Sequence, residues 1–496
     1  MKNIKVDHKV ISQCLFVCAI VFIIRAFTLQ GPIYNLCAED NSIFFIVGRE
    51  MIRGKVLYTE VFDHKGVYTF FIYALANLIS QTSQIGVYII QSTLTSAVMC
   101  YLFNTIKKEY SVIESLVMIG VSTFVMNMTF LTVFGGYNEE YAALGYLVSL
   151  ILIYKHSDER YRNYKLMFIH GVIVGTILNM KQNYVLFYLP IAIDLSIKTI
   201  KDKKYKLLLQ NIISGLLGIF IANIPMLVYT IKNNCFSAMI DALYSVSSIS
   251  TYGEMHVKEF VSFLLVVVLP MVIISILSIM IIRHKKKDIT GILVSTLVFT
   301  LIASLITGRT IMHCVEPIEV FMLPFIMFVF HKIMSLKNKT VSIFITFMIL
   351  FFSMWCNITS TNILYTIVKN GKYTAYRTVD TYNSKYSNID DVVYLGYGGV
   401  LYYGTDIDVP RYFTLPCIKQ SKYSTAIDYN ENRIRKEKPG LIIIQDWYLD
   451  KIEATLSYDI TQMLKTEYTL DDASGESSFY VRNDLVKPKV KEEKHD

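Results

Sequence analysis

The sequence predicts a polytopic α-helical membrane protein with about 11 transmembrane helices and a small C-terminal extracytoplasmic α/β domain. Three observations carry that expectation. The 496 residues are 53% hydrophobic and only 18% charged, with a mean hydropathy of +0.42, whereas soluble chains carry about a quarter charged residues. Apolar runs of membrane-spanning length recur up to residue 357. Beyond residue 360 they give way to polar sequence with short strand-like runs.

A helix needs roughly 20 mostly apolar residues to cross the hydrocarbon. Runs of that kind lie near residues 10–29, 85–106, 111–133, 140–154, 165–180, 183–197, 207–231, 259–282, 289–306, 317–334 and 338–357. The stretch 67–80, VYTFFIYALANLIS, has fourteen residues and carries Tyr, Thr, Asn and Ser. Such a segment more often lies at the interface or re-enters than spans. Charge decides the matter. With 67–80 not crossing, six alternate regions hold 21 Lys and Arg, among them Lys107-Lys108 and RHKKK at 283–287, and the opposite loops up to residue 359 hold eight. The positive-inside rule then puts the N-terminus in the cytoplasm and residues 360–496 outside. The first apolar run has a basic start and no small-residue cleavage site after it, so it reads as a retained span.

Before residue 360 there are 30 Lys and Arg against 20 acids, and in the last 137 residues 18 against 20. Basic charge therefore belongs to the membrane part, where it orients loops, and a nucleic-acid partner is excluded. The eight Cys show no C-x-x-C or His/Cys ligand spacing, so neither a structural zinc nor a disulfide framework is signalled. No P-loop and no G-x-G-x-x-G after a strand supports nucleotide-driven chemistry. In the tail, DVVYLG (391–396), LIIIQD (441–446) and SSFYVR (477–482) read as strands, 449–466 as a helix, and KPKVKEEKHD as a solvated end. The domains are thus 1–359 in the membrane, with a first outer loop 30–84 of amphipathic helices, and 360–496 outside.

The outer face holds the candidate site. Glu39-Asp40 follows span 1, and Asp63, His64 and Lys65 end the same loop. Capping of a helix N-terminus is the simplest role for Glu39 and Asp40. A second acidic pair, Glu139-Glu140, opens span 4, where capping is again the bland alternative. Two acidic loops on one face are what a base or a metal site between helices needs. Lys181 in ILNMKQNY, with Arg309 and His313 in GRTIMHCVEP, would supply a positive pocket for an anionic lipid phosphate. A lone cation at a span end usually snorkels to the headgroups, and that is the default reading of Arg25.

These residues resemble those of bacterial GT-C glycosyltransferases, polytopic enzymes of the protein mannosyltransferase and aminoarabinose transferase group that use polyprenyl-phosphate sugars. The resemblance rests on the acidic pair after span 1, FDHKG at the end of the outer loop, and a second acidic motif about a hundred residues on. It rests also on Gly171, Gly175 and Lys181 as a glycine-plus-lysine element, on GRTIMHCVEP, and on YLGYGGVLYYGTDIDVPRYF. Two departures are Val67 where the family has proline and Cys314 where it has Tyr.

The resemblance implies a GT-C fold and transfer of a sugar from a polyprenyl-phosphate donor, in a single inverting displacement, to an envelope glycan or lipid acceptor. Asp40 would be the general base and Glu39 its alternative, with Glu139 and Glu140 orienting base or acceptor. His64, Lys65, Lys181, Arg309 and His313 would hold the lipid phosphate. Some members of that group need a metal and others do not; where one is used, a divalent cation, Mg or Mn, is the candidate cofactor, with Asp40 and Glu139 as its ligands. It implies a bacterial plasma membrane. A transporter or flippase for lipid-linked sugars, or a polysaccharide polymerase, is the competing reading. Transporters commonly show internal repeats, and none is found in this chain.

Overall fold

A computed structural model describes residues 8–128, 132, 135–157, 163–246, 257–306, 310–370, 375–396, 398–413, 424–445, 457–474 and 477–486. Arg309, residues 449–456 of the segment expected as a helix at 449–466, and the terminal KPKVKEEKHD lie outside them. Among the described residues, eight helices are long and apolar enough to cross a membrane: His8–Ala26, Ile85–Ile106, Gln182–Lys201, Tyr205–Lys232, Val257–Lys285, Lys287–Leu305, Met312–Met334 and Lys339–Asn370. The other three expected spans are helices too. Val112–Val125 and Tyr164–Leu178 are shorter, and Asn138–Lys155 carries Glu139, Glu140 and Lys155 within its 18 residues. Val67–Ile79 forms a 13-residue helix, about 20 Å long at 1.5 Å per residue and shorter than the ~30 Å hydrocarbon core. The last span runs on to Asn370, because NITSTNILYTIVKN keeps helical order after its hydropathy falls.

The chain divides into two compact units, one of residues 1–36, 65–236 and 251–363, the other of 37–64, 237–250 and 364–496. The first is the helix bundle. Its lipid-facing helices leave large apolar side chains exposed, such as Leu209, Leu216 and Phe220 on one and Phe347, Phe351 and Trp355 on another. Water would penalise such a surface, and lipid tails cover it. Inside the bundle Phe103, Tyr146, Tyr184 and Phe187 are fully buried, and Tyr146 stacks on Phe187 at 4.0 Å.

The helices Tyr164–Leu178 and Tyr205–Lys232 approach through small residues. A Cβ at Gly171 would run into the Gly215 carbonyl, and one at Gly175 into Ala222 and the Ile219 carbonyl. Small residues four apart let backbones touch where no hydrophobic force between helices exists. The glycine element ahead of Lys181 is therefore a packing surface that fixes where the lysine emerges. Gly171→Val is expected to cost about 1–3 kcal/mol through overpacking, read as a lower Tm of the purified protein in detergent.

The second unit contains a four-stranded sheet of β1 (Val392–Leu395), β2 (Leu441–Gln445), β3 (Tyr468–Ser474) and β4 (Ser477–Arg482), in the order β1-β2-β4-β3. β1 and β2 are parallel, and β4 is antiparallel to both β2 and β3. All five residues of β2 are buried, as an apolar run in a central strand requires. Helices Ser424–Glu437 and Tyr458–Thr466 belong to this unit, and Ile434, Ile460 and Leu464 join its core with Val393, Ile442 and Ile444. Three strands match the sequence reading. β3 was not expected, because YTLDDAS places two acids where alternation would be read.

Candidate functional site

The helix bundle gathers three of the expected site residues. Glu139 opens the helix Asn138–Lys155, Lys181 follows the glycine-packed helix Tyr164–Leu178, and His313 stands in the helical turn Met312–Ile318. The Lys181 ammonium donates to Glu139 Oε1, His313 Nε2 lies 3.9 Å from that oxygen, and the Cys314 thiol lies 3.8 Å from it. Glu139 is buried, whereas Lys181 and His313 keep part of their side chains open. Supports fix each member. Tyr137 stacks on the His313 ring at 4.0 Å, Tyr184 donates to the Cys314 carbonyl at 2.9 Å, and Lys181 lies 5.4 Å from the Tyr184 ring centroid. Asn138 takes the Thr69 hydroxyl at 2.7 Å.

Lys65 enters through its backbone neighbours. The Gly66 N–H donates to the Met180 carbonyl at 3.2 Å and Tyr68 N–H to the Asn179 carbonyl at 3.0 Å, so the end of FDHKG lies against NMK. Gly66 is required there, since a Cβ would collide with the Asn179 carbonyl. The chain segments bearing Lys65 and Lys181 are thereby joined.

Glu140 belongs to a different cluster, and Arg25 with it. The snorkelling expectation for Arg25 is corrected: the side chain is 4% exposed, pairs with Glu140 Oε2 at 3.3 Å, and donates to Gln91 at 2.6 Å and to Asn127. A polar partner inside the bundle outcompetes the headgroups. Glu140 Oε1 also accepts the Gly136 N–H ahead of its helix, so the capping alternative describes half of its role. Glu316 and Glu319, absent from the sequence reading, are also buried, and neither Glu319 oxygen has a hydrogen-bond partner among the described residues. Two acids in an apolar run, EPIEV, were the available signal.

In the second unit, Glu39 and Asp40 open the helix Glu39–Ile52. Ala38 is the N-cap, Asn41 Oδ1 accepts the Ala38 N–H at 3.1 Å, and Ser42 donates to the Glu39 carbonyl at 2.6 Å. Neither acid is the capping residue. Glu39 has φ of 50° and is exposed, and Asp40 is half-buried. From Asn41 to Glu50 the helix is buried throughout, which corrects the amphipathic expectation for this part of the loop. Its polar groups find partners within the unit. The Gly399 N–H donates to Ser42 Oγ at 2.8 Å, Arg49 donates to the Tyr402 carbonyl at 3.1 Å, and Lys55 bridges Glu50 at 3.1 Å and Asp408 at 3.0 Å. The segment 398–411 therefore holds the acid-bearing helix. Burial, with Arg53 beside it, pulls the Arg49 guanidinium below its ordinary value, and Glu50 opposes this. His64 Nδ1 lies 3.7 Å from Asp63.

The chain is similar over nearly its whole length to the crystal structure of ArnT from Cupriavidus metallidurans in the apo state, with a TM-score of 0.60, 9% identity, and 97% and 99% of the two chains covered. Its fold is that of ArnT. A second ArnT structure from Cupriavidus metallidurans, bound to undecaprenyl phosphate, matches with a TM-score of 0.57 and 11% identity over 97% and 99% of the chains. No family model matches the sequence, and no curated protein does. The likeness to ArnT thus establishes the fold, a helix bundle with a small C-terminal strand-containing region, through shape rather than sequence.

A metal near Glu139 would meet three donors. Ligand atoms of Glu139, His313 and Cys314 lie within 4.8 Å of one another. A thiolate with an imidazole suits zinc, whereas Mg and Mn prefer all-oxygen sets.

Proposed function

We propose that the protein is a GT-C glycosyltransferase that moves a sugar from a polyprenyl phosphate to an extracytoplasmic acceptor in a bacterial envelope. The acceptor would be a cell-wall polymer, a surface polysaccharide or a lipid. The likeness to ArnT over the whole chain supports this most, because one of those structures holds undecaprenyl phosphate. The bias of basic loops supports a cytoplasmic N-terminus and an outer location for residues 360–496. Residues 1–359 would be the catalytic membrane domain, and the outer domain would help select the acceptor.

In this mechanism an acceptor hydroxyl oxygen attacks the anomeric carbon while the bond from that carbon to the phosphate oxygen breaks. The electron pair leaves with the polyprenyl phosphate. Asp40 takes the hydroxyl proton. Lys181, oriented by Glu139, places its positive charge for the leaving phosphate. His313, held flat on Tyr137, and Lys65 add positive charge, as would His64 and Arg309. Glu139 thus serves as the residue that aims the cation. A bound zinc would take Glu139, His313 and Cys314 and supply the same charge stabilisation.

The direct test is purified protein in lipid nanodiscs given a polyprenyl-phosphate sugar and crude envelope acceptor. Sugar should appear on the acceptor with release of polyprenyl phosphate. Movement of the intact lipid-linked sugar across the membrane without bond cleavage would instead establish a flippase. In the same assay Lys181→Met should lower kcat by about 100-fold, the usual cost of removing one charge-stabilising donor.

A further inference from the structure

A cavity in the bundle lies away from the charged cluster. It has a volume of about 140 Å³ and is walled by the helices Ile85–Ile106, Asn138–Lys155, Leu269–Lys285, Thr290–Leu305 and Glu319–Met334. The helix Asn138–Lys155 carries Glu139 at one end and reaches the cavity rim with Tyr154 at the other. Fifteen residues of helix separate them, about 22 Å, so this space is not a phosphate subsite for the reaction.

A kink position lies in its wall. Pro324 interrupts the helix Glu319–Met334, and a proline inside a helix removes one backbone hydrogen bond and bends the axis. Ser278 of the facing helix satisfies the groups beside it, donating to the Met322 carbonyl at 3.2 Å and accepting the Phe325 N–H at 2.9 Å. Around that level the lining is hydrocarbon, including Leu147, Ile151, Ile282 and Phe321. Engineered apolar cavities of ~150 Å³ stay dry and take a hydrocarbon guest.

One end is polar. Lys285 Nζ lies 2.5 Å from Glu109, the Tyr154 hydroxyl donates to Glu109 at 2.6 Å, and Lys285 sits 5.3 Å from the Tyr110 ring centroid. The chain beside this rim is strongly basic: Arg283 and Lys285 end one wall helix, Lys286 and Lys287 follow it, and Lys107 and Lys108 follow another, against Glu109 and Asp288. An apolar slot with a cationic collar matches an amphiphile with a negative head.

We propose that the cavity seats one acyl chain of an anionic glycerophospholipid from the leaflet on the basic side of the bundle, with its phosphate on Lys285 and the neighbouring basic residues. The lipid would wedge the five helices at the kink, filling a space that otherwise forfeits packing. The site is independent of the sugar-transfer reading.

The test uses full-length protein in phosphatidylcholine nanodiscs doped with a phosphatidylglycerol bearing a diazirine on its acyl chain. After irradiation, labelled peptides are mapped by mass spectrometry. Label should concentrate on 147–154, 279–289 and 321–328, and unlabelled phosphatidylglycerol should compete about fivefold better than added phosphatidylcholine, as one added basic contact provides. Ile151→Trp should clear the label from those peptides. Lys285→Gln should keep the label and erase the preference for the anionic lipid, which decides the matter even where Ile151→Trp fails to fold. Even labelling of all lipid-facing helices, equal competition by phosphatidylcholine, or competition by polyprenyl phosphate alone would each overturn the proposal.

Discussion

Asp40→Asn is expected to lower the turnover of sugar transfer by about 100- to 10,000-fold, the range that a positioned general base supplies, with Tm and binding of polyprenyl phosphate unchanged. A neutral hydroxyl attacks poorly, and an amide in place of the carboxylate cannot take its proton. Placement favours Asp40 over its neighbour. Glu39 sits at a positive φ with its side chain exposed, whereas Asp40 stands half-buried in the first turn of a helix whose next ten residues are buried. That rigid seat suits a base that must be held in register with the acceptor. Because Asn41 and Ser42 already serve the helix start, the substitution should leave the helix intact. Glu39→Gln should retain activity within about threefold, since substitutions of exposed side chains usually have small effects. Single-turnover kinetics with both variants measure this. Full chemistry in Asp40→Asn, or loss confined to Glu39→Gln, would move the base elsewhere.

Much of the membrane part was legible because one property, apolar length, governs it: each of the eleven runs became a helix. Residues whose role depends on distant partners were not. Arg25 shows this most clearly. In the sequence it is a cation near the end of a span, and nothing local reveals Glu140, 115 positions away, or Gln91 and Asn127. Lys181 and His313 could be found because they fall in polar interruptions of apolar sequence, and the structure brings both to Glu139. Cys314 stood out only as a departure from the resembled family, yet its thiol faces the same carboxylate. In the outer loop the apolar spacing suggested one buried stripe. The helix Glu39–Ile52 is instead enclosed nearly all round, because the 399–411 segment supplies partners for Ser42, Arg49 and Lys55 that the loop's own sequence does not contain.

Arg25→Met is expected to destabilise the protein by about 3–5 kcal/mol, the cost of leaving a buried charge without its partner. The carboxylate of Glu140 would remain among apolar helices with only the Gly136 N–H, and Gln91 and Asn127 would each lose a donor. Glu140→Gln keeps an oxygen for Gly136 while removing the charge, so adding it to Arg25→Met should restore part of the loss. A coupling of about 1–3 kcal/mol between the two sites follows from direct contact. Denaturation of the four proteins in one detergent gives the cycle. A snorkelling arginine would predict the opposite pattern, with Arg25→Met within about 0.5 kcal/mol of the parent and no coupling to position 140, because headgroup contacts neither bury a partner nor depend on one. The pair also bears on activity. Glu140 follows Glu139 in the same helical turn, so a turn that loosens when Arg25 is lost would misaim Lys181, and the single variant should lose kcat where the double variant recovers it.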